Sequence, residues 1–308
     1  MIRIEGVSKF FDHKPAVRNI SLEVPKGSLF GLIGPNGAGK TTTLKMLATL
    51  IKPDSGEIFM DGLDVLRDVR AVRRIIGYMS DSFGSFRGLT CEEYLQFFGR
   101  AYGLHGRTLE RRLEDVLALT ELGALRDELT GALSAGMGQR LSLAKTFLHD
   151  PEVLILDEPA SGLDPRARIE LRSLLTELGK MGKTIIISSH ILADLEEICT
   201  DVAIIELGEV AWHGSLKEAV ESRDGERLVT QIQVRKEDVE RTVALLEKLG
   251  FVRGISNDSG RIRAEVDREC ANRLLAALLG ENIEVLSFSR DRLSLEALFL
   301  ERTRGIVS

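Results

Sequence analysis

A glycine-rich turn constrains the fold of this chain more than any other stretch of its sequence. Residues 32–47 read LIGPNGAGKTTTLKML, in which an apolar run leads into a turn rich in glycine and then into a helix-forming segment. Glycine adopts left-handed backbone conformations and allows close approach, although it loses more conformational freedom on folding than other residues. A strand, a tight turn and a helix in succession predict an α/β fold whose turn brings backbone N–H groups together.

The turn satisfies the full pattern G-x-x-x-x-G-K-[ST] between Gly34 and Thr41, with the strand before it and the helix after it that the pattern requires. Converging N–H groups at the positive end of a helix form a cradle for phosphate oxygens. We expect Lys40 to neutralise the β and γ phosphates of a nucleotide and Thr41 to offer its hydroxyl to Mg²⁺. An ordinary strand-to-helix turn is the alternative, but few such turns place Lys and Thr at the helix start. The residues predicted to line the cradle are Gly34, Pro35, Asn36, Gly37, Ala38, Gly39, Lys40, Thr41 and Thr42.

A second stretch, VLILDEP, supplies acidic groups at the end of a buried strand. Asp157 and Glu158 follow four apolar residues, and open α/β sheets bind their ligands at this end of their strands. We expect Asp157 to hold Mg²⁺, through water, and Glu158 to act as the general base that polarises the attacking water. The alternative is a pair of solvated acidic residues, which the nearby glycine turn makes less favourable.

Composition excludes several classes of protein. The chain has 308 residues, a formal net charge of −6 and three scattered cysteines, Cys91, Cys199 and Cys270. This charge gives no global reason to bind nucleic acid, and the cysteines lack the spacing of a disulfide framework or a zinc site. The N-terminus lacks an apolar signal core, and the apolar runs are too short to cross a bilayer. We therefore expect a cytoplasmic protein that depends on another chain for any membrane passage.

The pattern of elements predicts two domains. Residues 1–220 alternate strand and helix patterns, with an inserted helical subdomain at about 87–149 where apolar residues recur at three- and four-residue steps. A polar segment at 221–227 marks the boundary. Residues 228–308 follow the order β-α-β-β-α-β, which predicts a small α+β ferredoxin-like domain.

Across roughly residues 1–220 the chain resembles the ATP-binding subunits of ABC transporters. The resemblance rests on the ordered motifs GPNGAGKT, LSAGM (133–137), LILDEP (154–159) and SGLD (161–164), followed by the isolated His190. It implies a P-loop NTPase core of the ABC ATPase type that binds and hydrolyses ATP with Mg²⁺. It also implies a head-to-tail dimer, of identical or different subunits, with two ATP molecules at its interface.

The resemblance assigns further residues to this interface. It implies that Ser134 and Gly136 start a helix that faces the γ-phosphate bound by the other subunit, and that Asp164 shapes the interface. Ser134 taken alone would be read as a helix N-cap. The resemblance also implies that His190 senses the γ-phosphate. Phe11 occupies the place of the aromatic residue that stacks on adenine, although the adjacent Phe10 is an alternative, and either ring could belong to the core.

Two positions depart from the family pattern. Asp81 stands where the family has a glutamine, and its carboxylate remains a suitable oxygen ligand for Mg²⁺ or water. The segment LSAGM has Ala135 and Met137 where the family has Gly and Gln. Because alanine is disfavoured at positive φ, retained function predicts an ordinary backbone at Ala135. Both departures leave the rate of hydrolysis open.

The resemblance implies the energy-coupling subunit of an ABC exporter, peripheral on the cytoplasmic face of the membrane, with a separate polytopic permease as its partner and no nucleic acid. We expect the permease to contact residues 82–98, whose aromatic residues either face it or pack within the helical subdomain; these are Phe83, Phe86, Phe97 and Phe98. The alternative is a soluble ABC ATPase that acts on ribosomes or DNA. The C-terminal domain either regulates the ATPase or stabilises the dimer, and the second role is the simpler one.

Overall fold

Buried parallel strands form the centre of the first part of the chain. The computed structural model describes residues 1–81, 84, 86, 88–216, 227–258, 261–290 and 295–303. Of these, residues 1–216 and 299–303 belong to one compact unit and the described residues between 227 and 298 to a second.

The first unit contains an antiparallel sheet and a mostly parallel sheet, in the respective orders β2-β1-β4-β5 and β10-β9-β3-β8-β7-β6. Only β10 runs antiparallel in the second of these sheets. The strands are β1 (Ile2–Phe11), β2 (Lys14–Val24), β3 (Leu29–Ile33), β4 (Ser55–Met60), β5 (Leu63–Asp64), β6 (Ile76–Met79), β7 (Val153–Leu156), β8 (Thr184–Ser189), β9 (Asp201–Glu206) and β10 (Glu209–Ser215).

The two sheets differ in burial as their sequences predict. Every residue of β3, β7 and β8 is buried, which explains their continuous apolar runs. In β1, buried Ile2 and Ile4 alternate with exposed Arg3 and Glu5, because one face of this sheet remains in solvent. The two sheets share one hydrophobic core.

Helices of the first unit are α1 (Lys40–Leu47), α2 (Val69–Ile75), α3 (Cys91–Ala101), α4 (Gly106–Leu119), α5 (Ala135–Phe147), α6 (Pro165–Lys180) and α7 (Leu192–Glu196). Of these, α3, α4 and α5 pack on one another and correspond to the predicted helical insertion. The start of α3 is fixed by a capping box, in which Thr90 and Glu93 bond reciprocally to each other's backbone N–H. Among the described residues, no helix is both long and apolar enough to cross a bilayer.

The second unit has the element order and the sheet that the sequence predicts. Its elements are β11 (Arg227–Val234), α8 (Val239–Lys248), β12 (Val252–Asp258), β13 (Arg261–Asp267), α9 (Ala271–Gly280) and β14 (Val285–Arg290), and a last helix of the chain, α10, covers Leu295–Arg302. The sheet order β12-β13-β11-β14 places the fourth strand beside the first and the third beside the second, entirely antiparallel. This is the ferredoxin-like arrangement.

Candidate nucleotide site

The carboxyl ends of neighbouring parallel strands bring the predicted residues to one edge of the sheet. Strand β3 ends just before Gly34, β7 just before Asp157, and β8 just before His190. Since β3, β8 and β7 are adjacent and parallel, residues that follow them lie side by side at the same edge. Open α/β sheets bind ligands at this edge.

The glycine-rich turn requires its glycines. Gly37 and Gly39 have φ values of 81° and 105°, a region that other residues rarely adopt. A Cβ atom on Gly34 would lie 2.2 Å from the carbonyl oxygen of Ile205. The Thr43 N–H donates to the Gly39 carbonyl at 2.9 Å, and the N–H groups that precede it in α1 have no partner within the helix. The turn therefore presents a row of backbone donors at a helix N-terminus.

The Lys40 ammonium lies at the centre of this turn. Its Nζ donates to the carbonyl oxygens of Gly34 at 2.8 Å and Pro35 at 3.2 Å, and lies 3.5 Å from Oε1 of Glu158. The Lys40 residue is only 6% exposed. A buried cation thus sits between the glycine-rich turn and the acidic strand end.

Asp157 is anchored through one oxygen and leaves the other without a partner. Its Oδ1 accepts hydrogen bonds from the hydroxyls of Thr41 at 3.0 Å and Ser188 at 2.7 Å. Its Oδ2 is buried and has no hydrogen-bond partner among the described residues. A buried carboxylate oxygen of this kind is costly unless a cation or a water binds it.

The donor set here fits Mg²⁺. Hydroxyl and carboxylate oxygens are the ligands that this hard ion prefers, and it usually takes few of them from the protein and keeps several waters. Accordingly, no cluster of three or more His, Cys, Asp or Glu ligands occurs in the part of the chain that the structure describes. Burial raises the pKa of Tyr78, and the Asp157 and Asp81 carboxylates raise it further. Asp81 itself is exposed, two residues beyond the end of β6.

Glu158 is held by its backbone and by its side chain. Its φ of 46° lies in the left-handed region, and its N–H donates to Ser188 Oγ at 2.9 Å. Its Oε2 lies 2.7 Å from Nδ1 of His190, while Oε1 faces Lys40. Sequence reasoning missed Ser188, whose hydroxyl links Asp157 to Glu158. A serine that follows TIII at the end of a buried strand is the only signal the sequence offers.

Ser134 and Asp164 each begin a helix. Ser134 Oγ accepts the N–H of Met137 at 3.3 Å at the start of α5, and Asp164 Oδ1 accepts that of Ala167 at 2.9 Å at the start of α6. Ala135 is the first residue of α5 and has an ordinary helical backbone, as the sequence led us to expect. Both caps are exposed, and their hydrogen bonds are local.

Phe10 and Phe11 lie at the end of a hairpin. Phe10 is 46% exposed and Phe11 is 48% exposed, so neither ring belongs to the core. Phe11 pairs with Lys14 across a two-residue turn, and the Lys9 ammonium lies 5.5 Å from the centre of the Phe11 ring. The hairpin leaves an aromatic surface open to a ligand.

Comparison with known proteins places this geometry in a family. The family model described as ABC transporter matches residues 17–161. The chain is 34% identical over 303 residues to the uncharacterised ABC transporter ATP-binding protein YxlF of Bacillus subtilis (strain 168), covering 98% of this chain and 99% of that protein. It is 33% identical to the daunorubicin/doxorubicin resistance ATP-binding protein DrrA of Streptomyces peucetius, covering 98% of this chain and 92% of the relative.

A solved structure agrees with the sequence relatives. The dimeric post-hydrolysis state of an ATP-binding cassette bound to ADP and Pi superposes with a TM-score of 0.64 at 25% identity, over 70% of this chain and 99% of that one. The predicted P-loop core of the ABC ATPase type is thereby confirmed. The chain therefore belongs to the ATP-binding subunits of ABC transporters, and it is an ATPase.

Proposed function

We propose that this chain powers an ABC exporter by hydrolysing MgATP in a head-to-tail dimer that moves a separate polytopic membrane permease. The observation that carries the hydrolytic part is the meeting of Lys40, Asp157, Glu158 and His190 at one sheet edge. A buried cation, a carboxylate oxygen open to a metal and a carboxylate held by a histidine are the groups that phosphoryl transfer needs.

The residues of one protomer divide into three tasks in this proposal. The backbone N–H groups of the glycine-rich turn bind the phosphates, and Lys40 exchanges its carbonyl partners for β and γ phosphate oxygens. Thr41 and Asp157, with Asp81 acting directly or through water, would hold Mg²⁺, which supplies charge neutralisation on the phosphates when it is bound. Phe11 stacks on the adenine, as its exposure permits.

Glu158 orients and polarises the attacking water, and His190 contacts the γ-phosphate. Their 2.7 Å contact fixes the carboxylate relative to the ring. The remaining donors come from the partner subunit. In that subunit, the turn that contains Ser134 and Gly136 and the turn that contains Asp164 close over the nucleotide. Both helix starts are exposed, and among the described residues their side chains bond only within their own helices, which supports this assignment. The similar solved cassette is a dimer.

Export is the favoured direction because a full-length relative is named for drug resistance. Moving a drug out of the cell is the direction of transport that confers resistance. We place the chain on the cytoplasmic face of the membrane, where ATP is present, held by its permease.

An aromatic surface supports a membrane partner. The Phe86 and Phe97 residues are 51% and 53% exposed, with their ring centres 5.6 Å apart, and Phe98 packs between them and Tyr94. An exposed aromatic cluster of this kind suits a short helix of another protein. Phe83 lies outside the described residues, so its predicted part in this contact stays a prediction.

We assign the predicted C-terminal domain, residues 228–308, to stabilising the dimer; of its described residues, 299–303 belong to the first unit of the structure. Its own core closes around Ile232, Leu246 and Leu274, and it therefore has the packing of an independent module. Regulation of the ATPase is the second role that it could have.

Co-purification tests the coupling. We expect the tagged chain, extracted from its native membrane in mild detergent, to bring down a polytopic membrane protein whose presence changes the Mg²⁺-dependent ATPase rate. Sedimentation with ribosomes or retention on DNA, without such a membrane protein, would overturn the transport role and favour a soluble ABC ATPase.

A further inference from the structure

Arg140 joins three elements of the first unit. This residue lies in the second turn of α5, and its guanidinium donates from Nη1 to Oε2 of Glu121 at 3.1 Å and from Nη2 to Oε2 of Glu170. Glu121 belongs to the turn after α4, and Glu170 belongs to α6. The Arg140 side chain is 20% exposed, that of Glu170 is 34% exposed and that of Glu121 is 76% exposed, so the pair with Glu170 is the more shielded of the two.

The two helices that Arg140 connects also touch at their first turns. A Cβ atom on Gly136 would lie 3.2 Å from Cβ of Ala167, which shows that α5 and α6 approach closely there. Arg140 follows Gly136 by four residues and Glu170 follows Ala167 by three, and these spacings keep each pair on one helix face. The contact at the helix starts and the ion pair therefore belong to the same interface, one turn apart.

A groove open to solvent lies beside this ion pair. It has a volume of about 300 Å³ and is lined by residues of α4, α5 and α6, among them Leu119, Arg140, Ile169 and Glu170. Side chains that line an open groove constrain the angle between two helices less than the close packing of a core does. A guanidinium held by two carboxylates has a defined geometry and can supply that constraint.

We propose that Arg140 is a positioning residue that holds the Ser134 turn and the Asp164 turn in one fixed arrangement, so that both partner-facing loops close over nucleotide together. Ser134 caps α5 and Asp164 caps α6, and the Gly136–Ala167 contact with the Arg140–Glu170 pair sets how these two caps lie relative to each other. The inference rests on the proposed function in one respect, since it needs the nucleotide-dependent dimer.

The test measures dimer formation in the full-length chain carrying Glu158→Gln, with size-exclusion chromatography over a range of MgATP concentrations. Arg140→Met is added to this parent, because methionine keeps much of the apolar stem and removes the charge. Arg126→Met is the matched control, since Arg126 also bridges two glutamates, Glu92 and Glu114, but lies within the helical subdomain. Binding of a fluorescent ATP analogue to the protein diluted below its dimerisation range gives the second readout.

We expect Arg140→Met to raise the MgATP concentration for half-maximal dimer formation by about tenfold, while the affinity of the single subunit for the analogue stays within about twofold. Arg126→Met should change neither quantity. Arg140→Lys keeps a cation between Glu121 and Glu170 and should retain more of the dimerisation than Arg140→Met does, a difference that a general loss of folding would not produce.

Two results overturn the inference. One is normal dimerisation of Arg140→Met beside a parent that dimerises, and the other is equal loss of dimerisation in Arg140→Met, Arg140→Lys and Arg126→Met. The proposed function fails separately, because in that case the Glu158→Gln parent would itself show no MgATP-dependent dimer.

Discussion

The Glu158 carboxylate lies 2.7 Å from the Nδ1 atom of His190, although the two residues follow different strands. Glu158 also has a left-handed backbone, with its N–H bonded to Ser188 Oγ. A non-glycine residue in this conformation costs free energy, and such residues concentrate at functional sites. The backbone and the histidine ring therefore fix the orientation of this side chain.

Replacing Glu158 with glutamine should stop hydrolysis and preserve binding. Glutamine keeps the size of the side chain but cannot accept a proton from water, so kcat should fall by about 10²- to 10⁴-fold. MgATP should still bind, and the variant should accumulate as a closed dimer. Turnover of radiolabelled ATP and size-exclusion chromatography measure both effects. Rapid turnover by this variant would remove Glu158 from the role of base.

Lys40→Ala should fail at an earlier step. The variant loses the buried ammonium that we propose binds the phosphates, so its affinity for ATP should drop by about 10- to 100-fold. Lys45→Ala is the control, because Lys45 lies in the last turn of the same helix, away from the glycine-rich turn. Equilibrium binding of a fluorescent ATP analogue distinguishes the two. Equal affinities would contradict the phosphate-binding role.

Asp157→Asn should weaken the binding of magnesium, so that the enzyme needs more of this ion. Asparagine removes the negative charge beside the unpartnered Oδ2 position, so the Mg²⁺ concentration for half-maximal ATPase rate should rise by at least about tenfold. Ser188→Ala removes a hydrogen bond to Asp157 without removing the carboxylate and should cause a smaller shift. Magnesium titrations of both variants, with binding of free ATP as a second measurement, provide the check. If Ser188→Ala shifted the Mg²⁺ requirement as much as Asp157→Asn, the orientation of the Asp157 carboxylate would matter more than its direct bond to the ion.

The two adjacent aromatic rings should differ in their effect on nucleotide affinity. If Phe11 stacks on adenine, Phe11→Ala should raise KM for ATP by about 5- to 100-fold with little change in kcat. Phe10→Ala should leave KM nearly unchanged, since its ring would lie on the other side of the strand. Steady-state kinetics of the two variants decides between them, and the reverse order of effects would assign the stacking to Phe10.

Removing residues 228–308 should separate the two roles open to the C-terminal unit. ATP binding should persist, because the glycine-rich turn and its acidic partners lie in the first unit, from which the deletion removes only 299–303 among the described residues. If the unit stabilises the dimer, the protein concentration needed for half-maximal ATPase activity should rise, while the rate at high concentration is retained. A changed rate at every concentration would instead indicate regulation.

Ordered motifs in the sequence predicted the glycine-rich turn, the acidic strand end and the ferredoxin-like order, because each depends on residues close together in the chain. The reach of Lys40 to Glu158 and the bridge from Arg140 to Glu170 could not be predicted in this way. Such contacts join positions far apart in sequence, and their formation depends on strand order and on the packing of helices. The role of Ser188 could not be predicted for the same reason, because its hydroxyl bonds Asp157 and the Glu158 N–H, which are distant in sequence.

The hairpin that carries Phe11 has a tip of only two residues. Asp12 and His13 both adopt left-handed conformations, with φ values of 46° and 63°, and connect the paired residues Phe11 and Lys14 directly. Adding or deleting one residue there would change which residue of β2 lies opposite Phe11. The position of this exposed ring thus depends on the length of a loop as much as on the identity of an aromatic residue.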